Sequence, residues 1–273
     1  MSLRAGWLAI ATALAATGVT AAQSAPAAPL NPTAKWWLDY DEAQCTAGRN
    51  YGDGRDFVQF GFKPSPMGKI IRLLVARKGS FILGDQYPVT LQFDDQPPQK
   101  LNSLQYLDDK TKLRVISVNV PRSEIDMHKT ARTITIATTG LKQTFALSDV
   151  PELLAELDKC SADLREVWNT GHGERIGKSA EPVQPLQDVF RPTDYPMSAA
   201  QGLKQGTVEA VLLIDEAGQI RDCSVETTSE IPTLDTMSCF VFQQRAQFAP
   251  ALDPAGKPIK SSYSKRITWR MGS

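Results

Sequence analysis

The chain predicts an α+β protein. A mainly antiparallel β unit closed by a helix comes first, followed by a smaller α/β layer unit with one helix on a three-stranded antiparallel sheet. Three patterns carry this expectation. From residue 56 to residue 147, short runs alternate apolar and polar side chains between Gly, Pro and Asp-Asp turns, the signature of half-buried strands. Residues 148–168 switch to apolar positions three and four apart, the period of a helix. The last part of the chain reads strand, turn, strand, helix, strand.

The first unit is expected at residues 36–168. Its strand-like runs include Phe57-Val58-Gln59-Phe60, residues 70–75, Val89-Thr90-Leu91-Gln92-Phe93, residues 113–120, Thr133-Ile134-Thr135-Ile136 and Thr144-Phe145-Ala146-Leu147. Pro121-Arg122-Ser123-Glu124 starts one short helix. The closing helix takes Ser148 or Asp149 as N-cap with Pro151 in its first turn. Leu153, Leu154, Leu157, Cys160, Ala162, Leu164 and Val167 are expected along its apolar face, and Trp168 ends it. Residues 169–194 hold Gly171, Gly173, Gly177, Pro182, Pro185 and Pro192 without periodicity, and read as a linker. Even fully stretched at about 3.3 Å per residue, it is a short tether.

In the second unit, residues 195–273, a short helix ends near Gly202 and Gly206. Residues 207–214 and 220–228 form a hairpin around Asp215-Glu216-Ala217-Gly218, with the glycine in the left-handed position. Thr233 is the expected N-cap of a helix over residues 234–246. Residues 262–270 make the last strand, with Ile267 and Trp269 facing the core.

At the other end, residues 5–22 are uncharged and rich in Ala, Leu, Ile and Val, between Arg4 and the small-residue tract Ala21-Ala22-Gln23-Ser24-Ala25-Pro26. A basic start, a short apolar stretch and small residues at the exit describe a signal peptide over residues 1–25, cut between Val19 and Ala27. Residues 26–35 then form a disordered lead-in. The alternative is an uncleaved anchor over residues 5–22, barely the length of about 20 apolar residues that a span requires. Export brings the four cysteines into an oxidising compartment. Of the three connectivities open to four cysteines, pairing within each unit, Cys45 with Cys160 and Cys223 with Cys239, is the simplest; four buried free thiols are the alternative.

Composition excludes several functions. The formal net charge is +0, so the chain lacks the cationic surplus that nucleic acid and anionic lipid attract. His128 and His172 are the two histidines and stand apart, without the convergent ligands a metal requires. Gly52-Asp53-Gly54 is a turn and not a calcium loop. Asp39, Asp41 and Glu42 beside Trp36, Trp37 and Tyr40 are the best enzymatic candidate, a sugar cleft. The simpler reading is a unit entrance with aromatic anchors. No catalytic residue, cofactor or metal is expected.

One set of residues in the second unit points further. Tyr195-Pro196 and Ala199 are followed by Gly206-Thr207-Val208, Ile214-Asp215, Ala217-Gly218, Leu234-Asp235, Phe248-Ala249-Pro250-Ala251, Gly256-Lys257-Pro258 and a last run to Trp269. In order and spacing this resembles the C-terminal domain of TonB-family proteins, the periplasmic module that touches outer-membrane transporters. The resemblance covers residues 195–270. It implies a non-enzymatic periplasmic binding protein that takes an extended partner segment as an added strand. The implied contact edge is Ser262, Tyr263, Ser264, Lys265, Arg266, Thr268 and Arg270, while the opening motif Tyr195-Pro196 is structural. The implied partner is a periplasmic or outer-membrane protein segment, such as that of a TonB-dependent transporter. A second copy of the chain, forming a homodimer, is the competing occupant. The long Pro-charge rod of the family's energy transducers is missing. That absence weighs against force transmission; the alternative to an exported periplasmic protein is a membrane-anchored, energy-transducer-like accessory of outer-membrane transport, held in the inner membrane by residues 5–22.

Overall fold

The computed structural model describes residues 28–54, 57–79, 85–108 and 111–271. The expected signal peptide and the alternative anchor lie outside the described residues. The first unit runs β1 (Trp37–Asp41), β2 (Gln44–Tyr51), β3 (Val58–Pro64), β4 (Ile70–Arg77), β5 (Asp85–Phe93), β6 (Gln99–Leu107), β7 (Arg114–Pro121), α1 (Arg122–Met127), β8 (Thr133–Thr138), β9 (Leu141–Ala146) and α2 (Val150–Val167). The strands form one nine-stranded antiparallel sheet in the order β1-β2-β3-β4-β7-β6-β5-β8-β9, curled into a half-barrel.

Alternation decides what fills it. Phe60, Phe62, Leu73, Leu91, Ile116 and Ile134 point inward and meet Leu153 and Leu157 of α2. Each such buried side chain contributes about 1.5–3 kcal/mol. Asp149 stands at the head of α2 with φ 61° and makes no side-chain cap. Instead its carboxylate accepts from Ser148 Oγ at 2.9 Å and pairs with Arg49 at 3.7 Å. The disulfide Cys45–Cys160 joins β2 to α2.

Residues 28–35 differ from the disordered lead-in expected of them. Leu30 donates its N–H to Thr144 O at 2.8 Å and accepts from Ala146 N at 2.9 Å, and Thr33 N donates to Asn50 O at 2.9 Å. The segment thus straps β9 to β2 across the seam of the half-barrel, drawn in by Leu30, which packs on the core. Tyr51 Oη donates to Ala146 O at 3.0 Å beside it. Burial pushes that phenol up to about 12, so it remains a donor.

The second part of the chain holds β10 (Glu181–Pro182), α3 (Leu186–Val189), α4 (Met197–Gln201), β11 (Gly206–Ile214), β12 (Ile220–Thr227), α5 (Pro232–Arg245), β13 (Phe248–Ala249), β14 (Ala251–Leu252), β15 (Pro258–Ile259) and β16 (Ser261–Trp269). Its three-stranded sheet has the order β12-β11-β16, all antiparallel. In the hairpin turn Gly218 has φ 79°, and a Cβ there would lie 2.0 Å from Phe248 O; only glycine fits. Thr233 is not the N-cap of α5. The cap position is Ile231, and Asp235 in the first turn does the tying, accepting from Ser229 N at 2.8 Å, Ser229 Oγ at 2.7 Å and Thr228 Oγ1.

The stretch expected as a linker is built into this second core. Ala180, Leu186 and Val189 are buried there with Leu212, Phe242 and Phe248, and β10 pairs with β13. Their irregular spacing hides them from a periodicity search, because each docks singly.

The two units share a core. Val208, Ala210, Leu212 and Ile214 of β11 face α5, whereas Val211 and Leu213 on the other face belong to the core of the half-barrel. Glu226 of β12 clamps the β3–β4 turn, accepting from Ser65 Oγ at 2.7 Å and Met67 N at 2.6 Å. Around it, Lys63 pairs with Asp222 and Lys69 with Glu209, each at 3.7 Å. Lys260 stands 5.2 Å from the centroid of the Trp168 ring.

Glu226 is 2% exposed, and burial raises its carboxyl above the usual range despite the donors around it. Replacing it by alanine leaves the Ser65 hydroxyl and the Met67 N–H without an acceptor, a loss of about 1–3 kcal/mol. A carboxyl raised in the folded state adds stability below its unfolded value, and that stability fades as pH rises through the folded value. The cost of Glu226→Ala, read from urea melts, is therefore expected to be greatest at or below pH 4.5, the reference value, and smaller at neutral pH.

Candidate functional site

An open sheet edge can accept a strand only where nothing already covers it. β11 is paired on both sides. The outer side of β12 lies against the β3–β4 turn, held by Glu226, Lys63 and Asp222. β16 pairs with β11 alone among the described residues. Its outer edge is the open one.

The register says which backbone groups that edge presents. In the hairpin, Asp215 N donates to Gln219 O at 3.0 Å, so the backbone groups of Asp215 face β12. Successive residues of a strand face opposite sides, and both register shifts place the extra residue on β12. The even-numbered residues of β11 from 206 to 214 therefore face β16. Their partners are Trp269, Ile267, Lys265, Tyr263 and Ser261. The outward N–H and C=O groups belong to Ser262, Ser264, Arg266 and Thr268.

The side chains along this edge divide in the same alternation. Trp269 is buried, and Tyr263 and Ile267 are partly so. The Tyr263 ring lies 5.0 Å from Phe248. Ser264, Lys265, Arg266, Thr268 and Arg270 are exposed. Lys265, Arg266 and Arg270 make no salt bridge among the described residues, so the edge is cationic and its charges are unspent.

Tyr195 and Pro196 hold the far end of this strand. The Tyr195 ring meets Trp269 edge-on at 5.5 Å, and its hydroxyl donates to Lys204 O at 2.5 Å. Trp269 Nε1 in turn donates to Ser238 Oγ of α5 at 2.9 Å. Asp194, just before the motif, accepts both Nη groups of Arg245 at 2.6 and 2.7 Å and the N–H of Arg191 at 2.7 Å. The Arg245 guanidinium is the first cause holding the Asp194 carboxyl below its usual range. This clamp fastens the approach to α4 onto the end of α5, and sequence reasoning missed it because its members are far apart in the chain.

Residues 191–271 match the family model of the Gram-negative bacterial TonB protein C-terminal. This part of the chain is a TonB C-terminal domain. The match begins at Arg191, so the Asp194–Arg245 clamp lies within the domain, and it does not extend to the half-barrel. No curated protein matches the chain. A TonB C-terminal domain implies a TonB-like interaction with outer-membrane transporters. Together with the disulfides Cys45–Cys160 and Cys223–Cys239, the domain points to a location in the cell envelope. Among the described residues no helix is long and apolar enough to cross a membrane.

The remaining candidates are placed as follows. Trp36 turns inward: it meets Phe62 edge-on at 5.6 Å, and its Nε1 donates to Ser148 O at 2.9 Å. Trp37 lies over Gly48, where a Cβ would meet its ring at 2.2 Å. Asp39 and Tyr40 are exposed on β1; Tyr40, Asp41 and Glu42 line a pocket of about 300 Å³ with Asp163 and Leu164, and Trp36, Trp37 and Asp39 are not part of its lining. His128 stacks on Phe93 at 4.6 Å and bonds Glu124 at 3.0 Å; His172 lies between Glu166 and Glu174. Among the described residues no group of His, Cys, Asp and Glu is arranged to hold a metal.

Proposed function

We propose that this chain is a non-enzymatic envelope protein that captures an extended segment of an outer-membrane transporter by adding it as a strand to the outer edge of β16. In this reading residues 1–25 are a cleaved signal peptide and the mature protein works in the periplasm. The half-barrel serves as a platform: it covers the β12 edge and one face of the sheet of the TonB C-terminal domain and leaves one edge for a partner. That open edge of the three-stranded sheet, with outward backbone groups at Ser262, Ser264, Arg266 and Thr268, is the observation that carries the reading. Main-chain bonds to the edge supply affinity. Lys265, Arg266 and Arg270 favour a partner segment with acidic side chains.

A protein released from the inner membrane has no tether against which to pull. Capture and positioning, not force transmission, is then its work.

The test is calorimetric titration of the full chain with synthetic peptides from the periplasm-facing N-terminal segments of TonB-dependent transporters of its host. Saturable binding is expected, with a photocrosslinker at Ser264 labelling the peptide. Absence of binding, or crosslinks only to remote surfaces, contradicts the reading. N-terminal sequencing of the protein from cells distinguishes the forms: a start between Ala22 and Ala28 in the soluble periplasmic fraction fits capture, and an intact N-terminus in the inner-membrane fraction fits the anchored accessory.

A further inference from the structure

A cleft of about 500 Å³ separates the outer face of the half-barrel from α5 and β12, a size within the range of small-molecule sites. Across its floor, Lys63 of β3, Arg72 of β4 and Asn119 of β7 are lateral neighbours in register. Two cations directly opposite each other on adjacent strands repel. Lys63 is compensated: it stands 3.7 Å from Asp222 and donates to Gln44 Oε1 at 2.6 Å. Arg72 is not. Its Nε donates to Asn119 Oδ1 at 3.2 Å, and among the described residues its two Nη groups have no acceptor.

The acids nearby are already engaged. Asp222 receives Ser224 Oγ at 2.6 Å along with Lys63, and Asp235 receives Ser229 and Thr228. The rest of the lining is largely apolar, including Leu104, Tyr106 and Val225, with Phe240 of α5 exposed above. The charge of Arg72 also reaches Tyr106, where it opposes the upward push of burial on the phenol.

We infer that this cleft binds a small amphipathic carboxylate, with the Arg72 guanidinium taking the carboxylate and Tyr106 and Phe240 holding an apolar or aromatic body. A guanidinium fork matches a carboxylate in two parallel bonds. The anion also relieves the repulsion between Arg72 and Lys63. Since the lining comes from both units, the ligand bridges the half-barrel and the TonB C-terminal domain. The site lies on the side of the sheet away from β16 and goes beyond strand capture.

The probe is naphthalene-2-acetate, with naphthalene-2-acetamide as its uncharged counterpart and acetate as the bare anion, titrated into the full chain by calorimetry. The acid is expected to bind saturably, and at least about tenfold more tightly than either control. Arg72→Met, which keeps the apolar stem, is expected to erase the preference for acid over amide. Phe240→Ala, on an exposed position, is expected to weaken acid and amide alike. Thermal melts of both variants confirm folding. Equal binding of acid and amide, a preference that survives Arg72→Met, acetate binding as tightly as the naphthyl acid, or no saturable binding up to about 10 mM would each overturn the assignment.

Discussion

Replacing Arg266 by proline is expected to abolish capture of an extended peptide while leaving the fold intact. The backbone N–H of Arg266 points away from β11, so proline removes a donor of the open edge and no bond of the existing ladder. Each main-chain bond to a partner strand is worth about 1 kcal/mol, and a ring in mid-edge also pushes the incoming strand out of register. A loss of at least about tenfold in affinity follows, measured by titration against the same peptide. Lys265→Pro is the informative contrast. Lys265 faces β11 opposite Ala210, so proline there breaks the ladder and destabilises the domain by about 1–3 kcal/mol. If Arg266→Pro binds as wild type, the edge is not the contact. If both variants unfold alike, the register argument fails.

The largest effect on stability is expected from the bridge between Cys45 and Cys160. These residues are 115 apart in sequence, and cross-linking so long a loop removes much of the freedom of the unfolded chain. The loop-entropy relation gives roughly 4–5 kcal/mol. The double variant Cys45→Ala, Cys160→Ala should therefore melt on the order of 10 °C lower, because the seam between β2 and α2 is then held by packing alone. Cys223 and Cys239 are 16 apart, and their removal is expected to cost less, about 3 kcal/mol. A Cys45–Cys160 variant as stable as wild type in denaturant melts would show that the bridge is incidental to the half-barrel.

What could be read from the sequence follows from how each element is stabilised. β4, β7 and β8 were legible because one face of each is buried and their alternation is plain, and the β11–β12 hairpin was legible from its turn at Asp215-Glu216-Ala217-Gly218. β2 and β6 were not: Gln44-Cys45-Thr46-Ala47-Gly48-Arg49-Asn50 and Gln99-Lys100-Leu101-Asn102-Ser103 are poor in β-branched residues and owe their conformation to neighbours on both sides. The half-barrel's contact with the second unit leaves a trace in the sequence. The run Ala210-Val211-Leu212-Leu213-Ile214 is apolar without alternation, the mark of a strand buried on both faces. For the candidate site, β16 and Tyr195-Pro196 were legible from spacing and resemblance. Which of its backbone groups face outward was not, because that depends on one hydrogen bond in a distant turn. The cleft around Arg72 was invisible, since it needs three strands in register and a helix from another part of the chain.

The strap formed by Leu30 has a consequence for biogenesis. A chain threaded through a membrane from its N-terminus delivers Leu30 early, yet Leu30 bonds to Thr144 and Ala146. In the exported form proposed above, the seam cannot close until the end of β9 has crossed. Until then the aromatic interior around Phe60 and Phe145 stands open to any holding chaperone, and non-local closure of this kind is slow. The strap joins the start of the first unit to β9, and α2 with Cys160 still follows.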